Sequence, residues 1–255
     1  VNRNKVILLL LILTLAVCSA SAQTDWKGFY LGGNAGGNLS RTDATTTTVF
    51  SPTGYFASSS VPAIAALSPQ RPDSNGFVGG GQAGYNFQSG ALVFGLEADI
   101  GAMTGSDTRT ATGVYPCCAP TNFTLAQRME HQWLFTVRPR VGATFGRALF
   151  YVTGGLAVTN LDYRATFTDT FATALETGRI DETKAGWTAG GGLEYQVRQH
   201  WSVKGEYLYA DFGDETVTST NLTAFTPPIA FPTNVFTHTA DLRSHIFRFG
   251  FNYRF

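Results

Sequence analysis

Residues 247–255 read Phe247-Arg248-Phe249-Gly250-Phe251-Asn252-Tyr253-Arg254-Phe255. Five aromatic rings take the odd positions, while Arg248, Asn252 and Arg254 take even ones. Successive side chains of a strand point to opposite faces, so this segment has one aromatic, uncharged face and one polar face. A soluble sandwich or barrel turns its apolar face inward and its charges outward. A strand in the wall of a membrane barrel does the reverse, because its outer face meets lipid. The two readings are separated by asking whether other strands also keep one face free of charge.

Seven further segments alternate with period two, and all of them do. Phe29, Leu31, Gly33, Ala35 and Leu39 oppose Gly32, Asn34 and Asn38; Phe77, Ala83, Tyr85 and Phe87 oppose Gln82, Gly84 and Asn86. Leu92, Phe94, Leu96, Ala98 and Ile100 are backed by Glu97 and Asp99, and Trp133, Phe135, Val137, Val141 and Phe145 by Thr136, Arg138, Arg140 and Thr144. Phe150, Val152, Leu156 and Val158 oppose Tyr151, Thr153 and Thr159; Trp187, Ala189, Leu193 and Tyr195 oppose Thr188, Glu194 and Gln196. Trp201, Val203, Tyr207 and Tyr209 oppose Ser202, Lys204 and Glu206. All the charges of these segments (Glu97, Asp99, Arg138, Arg140, Glu194, Lys204, Glu206, Arg248 and Arg254) lie on the polar face. Arg or Lys facing lipid at midplane costs about 2–4 kcal/mol, which gives that segregation a cause.

The joints alternate as well. Short turns are expected at 88–91, 146–148 and 197–200, and long outer loops at about 41–75, 104–131, 160–183 and 212–240. Short turns at one end, long loops at the other and an even strand count predict an eight-stranded antiparallel transmembrane β-barrel, all-β, with four long extracellular loops. Pro139 lies inside the fourth strand, where it has no N–H for the ladder, so a bulge or a missing hydrogen bond is expected there.

The 255 residues carry 18 basic and 18 acidic side chains, which leaves no basic footprint for nucleic acid. The single long apolar run, 6–17, follows Arg3 and Lys5 and precedes Ala20-Ser21-Ala22. It is too short to span a bilayer and has the layout of a cleavable signal peptide, so residues 1–22 are expected to be removed and 23–255 to form the barrel. Cys18, in a loose lipoprotein-like setting, is expected to leave with that peptide.

Trp26-Lys27-Gly28-Phe29-Tyr30-Leu31-Gly32, Thr153-Gly154-Gly155-Leu156-Ala157, Trp201-Ser202-Val203-Lys204-Gly205-Glu206-Tyr207-Leu208-Tyr209 and the ending 248–255 together resemble the Omp25/Omp31-like, porin-family outer-membrane proteins of alphaproteobacteria. The likeness covers the strands and not the long loops. It implies the bacterial outer membrane as location, and lipid and lipopolysaccharide as surroundings. Phe251, Tyr253 and Phe255 are similar to the C-terminal signal read by the barrel-assembly machinery. Pro139 departs from the pattern, which usually has Gly there.

Eight strands enclose a lumen that side chains can fill. The nine polar-face charges are therefore expected to form interior ion pairs that plug the barrel, a narrow polar passage being the alternative. Gly79-Gly80-Gly81-Gln82-Ala83-Gly84 satisfies GxGxxG but has no helix after it, so it is not a nucleotide loop. His131, His238 and His245 fall near outer strand ends or loops with no ligand spacing, and are expected to be solvated. Ser244-His245 with Asp241 only superficially suggests a hydrolase, and no enzyme, metal or cofactor is expected. Cys117-Cys118 is compatible with free thiols or a vicinal disulfide. The first loop, with Pro52, Pro62, Pro69 and Pro72, promises little core. The sequence thus points to a structural barrel that supports the envelope and presents surface loops. Capture of haem or a host ligand by the loops, or passage of small polar solutes, are the alternatives; oligomeric state is open.

Overall fold

Strict alternation becomes strand over nearly the whole chain. The computed structural model describes residues 24–255; the signal-peptide expectation and Cys18 lie outside them. The strands are β1 Gly28–Thr48, β2 Gly76–Ser89, β3 Leu92–Val114, β4 Asn122–Phe145, β5 Ala148–Asp169, β6 Leu175–Arg198, β7 Trp201–Ser219, β8 Thr223–Ala224, β9 Ile229–Ala230 and β10 Phe236–Arg254. One helix, α1, spans Ser60–Leu67. β1 to β7 pair in sequence order, and β10 joins β7 to β1, from Tyr30↔Arg254 to Thr48↔Phe236, so that eight long antiparallel strands close a ring. Closure leaves the membrane portion without a free sheet edge. β8 and β9 form a small hairpin in the last outer connection.

At the lower end β2–β3, β4–β5 and β6–β7 are joined by two-residue turns. Gly90 and Gly146 adopt φ of +58° and +59° there, a left-handed conformation that a side chain would strain. At the upper end the expected long loops are mostly strand. β3 and β4 continue to a turn at 115–121, and β5 and β6 to one at 170–174. The sequence reading missed these extensions because their polarity is inverted. On β5, Phe150, Val152 and Leu156 face out below, whereas Leu161, Tyr163, Ala165 and Phe167 face in above, with Asp162 and Arg164 outside. The alternation never breaks; the meaning of the two faces changes.

That change defines two storeys. On β1, Phe29 to Leu39 present an apolar exterior eleven residues long, the span of a transmembrane strand, before Arg41 and Asp43 face out. Aromatic contacts collect at both rims: Phe29–Phe255, Tyr85–Phe87 and Trp201–Tyr253 below, Trp187–Tyr209 and Tyr207–Phe247 above. Three register shifts, at Ala102/Gly105, Glu130/Leu134 and Asp241/Arg243, sit where the exterior changes from apolar to polar.

The first loop also differs from expectation, since it fills the upper mouth. α1 sets Val61, Ile64 and Leu67 three residues apart on one face, and Ile64 and Phe56 are buried with Phe123, Leu125, Phe167 and Phe236. Pro62 fits because first-turn N–H groups have no intrahelical partner. At Pro139 the β3 ladder runs through, with Leu96 as partner. On the β5 side pairing lapses between Val137↔Leu156 and Arg140↔Thr153 without a register shift. The proline thus costs local pairing and produces no bulge.

Candidate functional site: the filled lumen

Within the lower storey every strand sends a polar side chain to the axis. Arg138 Nη2 lies 2.8 Å from both Glu97 Oε1 and Asp99 Oδ2, and its Nη1 lies 3.3 Å from Glu206 Oε2. Arg248 meets Asp99 at 2.9 Å through Nη1 and Glu206 at 2.7 Å through Nε. Lys204 Nζ donates to Glu97 Oε1 at 2.8 Å, and Arg140 Nη1 sits 3.1 Å from Glu194 Oε2. Four acids meet four bases, all 0–3% exposed at the side chain. The pairs span β3 to β4, β4 to β6, β3 to β7 and β3 to β10, so they cross the lumen as well as following the wall.

Neutral groups complete the set. Tyr30 Oη on β1 donates to Glu97 at 2.8 Å, and Tyr151 Oη on β5 to Glu206 at 2.9 Å. On β2, Asn86 accepts from Arg140 Nε at 2.9 Å, and Gln82 donates to Asn252 at 2.6 Å. Asn252 donates in turn to Glu194 at 2.8 Å, while Thr136 donates to Asp99 at 2.6 Å. A buried ion pair offsets its desolvation best when the remaining lone pairs and protons are also satisfied. These groups satisfy the carboxylate oxygens, while Arg138 Nε and Nη1 and Arg140 Nη2 have no hydrogen-bond partner among the described residues. Gly84 of the GxGxxG stretch lies on β2 against the Tyr30 phenol, where a Cβ would collide; its role is space for that ring.

Eight of the nine sequence-expected charges are brought together, and Arg254 is not. It lies at the lower rim, 5.6 Å over the Trp26 ring, and donates to the Gln199 carbonyl at 3.0 Å. Among the described residues no ion pair joins it to the lumen carboxylates. Tyr151, Gln82, Asn86 and Asn252 stand on the polar face in the sequence without being assigned to the network, and Tyr30 shares that inward parity with Asn34 on β1.

Above the charges the lumen is packed with Val78, Met103, Leu134, Ala157, Leu208 and Ile246. Histidines follow, and they are not solvated as expected. His131 and His238 are 1% and 0% exposed, because both fall at inward positions of extended strands. His238 Nε2 is 3.1 Å from Glu176 Oε1 and its Nδ1 is 3.0 Å from Thr46 Oγ1, while Asn38 contacts His131 Nε2 at 3.1 Å. His245 faces outward onto Tyr207, whereas Ser244 faces inward onto Ser40, so the two cannot form a relay. The mouth is closed by the aromatic cap of Phe56, Phe123, Phe167 and Phe236. There Tyr55 and Tyr115 donate to Asp169 Oδ2 at 2.5 and 2.9 Å. Burial, with Asp169 beside them, pushes both phenol pKa values well up. Cys117 and Cys118 are disulfide-bonded at the rim of this cap. Among the described residues, no group of three or more His, Cys, Asp or Glu side chains is placed to hold a metal.

An eight-stranded ring with an uncharged aromatic exterior over one membrane thickness and paired charges inside defines a transmembrane β-barrel of the outer-membrane kind. The chain belongs to the family described as outer membrane protein beta-barrel domain, whose model matches residues 7–255. It is 35% identical over 186 residues to the 31 kDa outer-membrane immunogenic protein of Brucella melitensis, covering 71% of this chain and 68% of that one. It is 28% identical over 190 residues to the 22 kDa outer membrane protein of Rhizobium leguminosarum bv. viciae, covering 74% and 65%. The solved structure of the outer membrane protein OprG from Pseudomonas aeruginosa overlaps 90% of this chain and 98% of its own, at 10% identity and a TM-score of 0.42. That overlap is loose, and the topology above rests on strand pairing alone. The protein is thus an outer-membrane barrel of the Omp25/Omp31 type, located in the bacterial outer membrane.

Proposed function

We propose that this protein is a closed structural barrel: it anchors in the outer membrane, stiffens the envelope and holds a rigid storey above the lipid surface. The observation that carries this reading is the charge network to which all eight long strands contribute, overlaid by the apolar layer and the aromatic cap. A conducting barrel needs a continuous wet path, and here three successive layers of side chains fill the lumen. The storey above is built of paired strands and a packed core, so what it displays is a shaped surface. No catalytic role is assigned, since Ser244 and His245 face opposite ways.

Two partners follow from the same reading. Lipopolysaccharide would contact the exterior where Leu39 gives way to Arg41 on β1 and Phe247 to Arg243 on β10. The assembly machinery would read Phe251, Tyr253 and Phe255, whose rings line the outer face of β10, the strand that closes the ring.

The test is conductance of refolded protein in planar bilayers. The wild type is expected to be electrically silent. Stable openings that grow when Arg138 and Arg140 are both changed to Ala would overturn the reading in favour of a narrow porin.

A further inference from the structure

Pairing between β6 and β7 stops at Trp187↔Asp211, although β6 reaches up to Leu175 and β7 to Ser219. Above that point β6 pairs only with β5, apart from its end at β8, and β7 pairs only with β10. The register of β7 shifts between its Asp241 and Arg243 partners, beside Gly213 at φ +69°, and this turns the strand away from β6. The result is a slot in the upper wall with a cavity of about 350 Å³ lined by Arg179, Asp181, Glu182, Glu215, Thr216 and Val217.

Side chains cross this slot: Lys184 pairs with Glu215, and Ser219 with Glu176. At its top the Asn221 side chain accepts from the Thr177 N–H at 3.2 Å and donates to the Thr177 carbonyl at 2.7 Å. Asn221 there takes the place of a neighbouring strand for one residue. Backbone groups on a strand alternate between its two neighbours. Arg179, Asp181 and Thr183 therefore turn their N–H and C=O toward the slot, as Thr177 does, and Ile180 and Glu182 turn theirs toward β5.

The molecule has a second gap of this kind and fills it. β2 begins only at Gly76, leaving the upper parts of β1 and β3 without a strand between them. Residues 70–72 lie in that gap, bridged antiparallel to β1 at Ala44↔Gln70. The Ala44 N–H donates to the Gln70 carbonyl and the Gln70 N–H to the Ala44 carbonyl, each at 3.0 Å, and the Thr42 N–H donates to the Pro72 carbonyl at 3.2 Å. The Asp73 N–H reaches Asp107 on β3 at 2.9 Å. A segment joined through its backbone is thus how this fold closes a missing-strand gap.

We propose that the β6–β7 slot is a docking site for an extended polypeptide segment of basic character, which adds as a strand to the free edge of β6. Edge strands with unpaired N–H and C=O groups are templates for such addition. Charge complementarity sets the partner's chemistry: Asp181, Glu182, Asp214 and Glu215 outnumber Arg179 and Lys184 along the two unpaired stretches. The slot lies above the apolar belt, on the displayed storey, and its use does not depend on whether the lumen conducts.

The experiment uses the protein refolded into lipid nanodiscs. Amide hydrogen exchange is measured with and without an acetylated, amidated probe peptide, Lys-Thr-Val-Thr-Val-Thr-Lys. Without peptide, the amides of Arg179, Asp181 and Thr183 exchange fast while those of Ile180 and Glu182 are protected; peptide slows the first three. N-methylating alternate peptide bonds, or changing Asp181→Pro in the protein, lowers affinity at least about tenfold with the melting temperature unchanged, since Pro is tolerated on an edge. Uniform protection of 179–183 without peptide would show the slot closed and overturn the proposal. Equal binding of the N-methylated peptide, no binding of the probe, or slowing of the three amides by lipopolysaccharide micelles alone would overturn it as well.

Discussion

The same eight strands build two storeys with opposite rules. In the lower one Phe249 is 77% exposed while Arg248, next to it, is 2% exposed. In the upper one Tyr163 and Phe167 are fully buried, and Arg164 between them is exposed. The backbone is indifferent to this inversion, since pairing continues through it on β5 from Val158↔Ala185 to Asp162↔Asp181. What changes is the solvent outside. Lipid excludes charge from the exterior and drives it to the axis, where it must be paired; water reverses the preference and restores an ordinary apolar core. The lower storey is held by a buried network in which each ion depends on its partners, the upper by packing in which rings fill space.

The comparison is broken most severely at Arg138. Changing it to Ala leaves Glu97, Asp99 and Glu206 short of a cation that is fully buried, at a cost of about 3–5 kcal/mol. Urea unfolding in lipid vesicles reads this directly, and a loss under about 1 kcal/mol would mean the lumen is wet enough to solvate the acids. Next comes Phe249→Arg, which places a charge in lipid and is expected to cost about 2–4 kcal/mol near midplane. Its counterpart on the upper exterior, Thr166→Arg, should stay within about 0.5 kcal/mol. Equal effects for those two would erase the distinction between the storeys. A similarly small effect belongs to Arg71→Ala. It removes an exposed pair with Asp43, 81% and 56% accessible, so a change of roughly 0–1 kcal/mol that vanishes in high salt is expected.

How far the sequence is legible follows the same division. Lipid leaves a strong mark on the lower storey, because one charge on the wrong face is so costly; hence Glu97, Asp99, Arg138, Arg140, Glu194, Lys204, Glu206 and Arg248 could be assigned to the axis by parity alone. Parity does not give depth, which is why Arg254 was grouped with them although it sits at the rim. The upper strands were harder to see for a physical reason. Asp162, Arg164 and Arg179 look like loop residues when the test for a strand is an uncharged outer face, yet Leu161, Tyr163 and Ile180 alternate with them in the same phase. Following the phase through the inversion would have extended the strands and placed His131 and His238 inside. The mouth-filling role of Phe56 and Ile64 left no periodic mark beyond the short run of α1. Pro139 was legible as a defect, while its form, lost pairing on one side only, depends on which neighbour its missing N–H would have faced.

The central claim, that the exterior of one continuous strand passes from lipid to water, is tested most directly on β5. Single spin labels are placed at 150, 152, 156, 158, 162, 164 and 166 in protein lacking Cys117 and Cys118, reconstituted in bilayers, and their collision rates with oxygen and with a water-soluble nickel chelate are compared. The account predicts oxygen-dominated relaxation up to 158 and nickel-dominated relaxation from 162 onward, with one crossing between them. Oxygen-dominated relaxation persisting through 164 and 166, or no crossing anywhere along the strand, would contradict it.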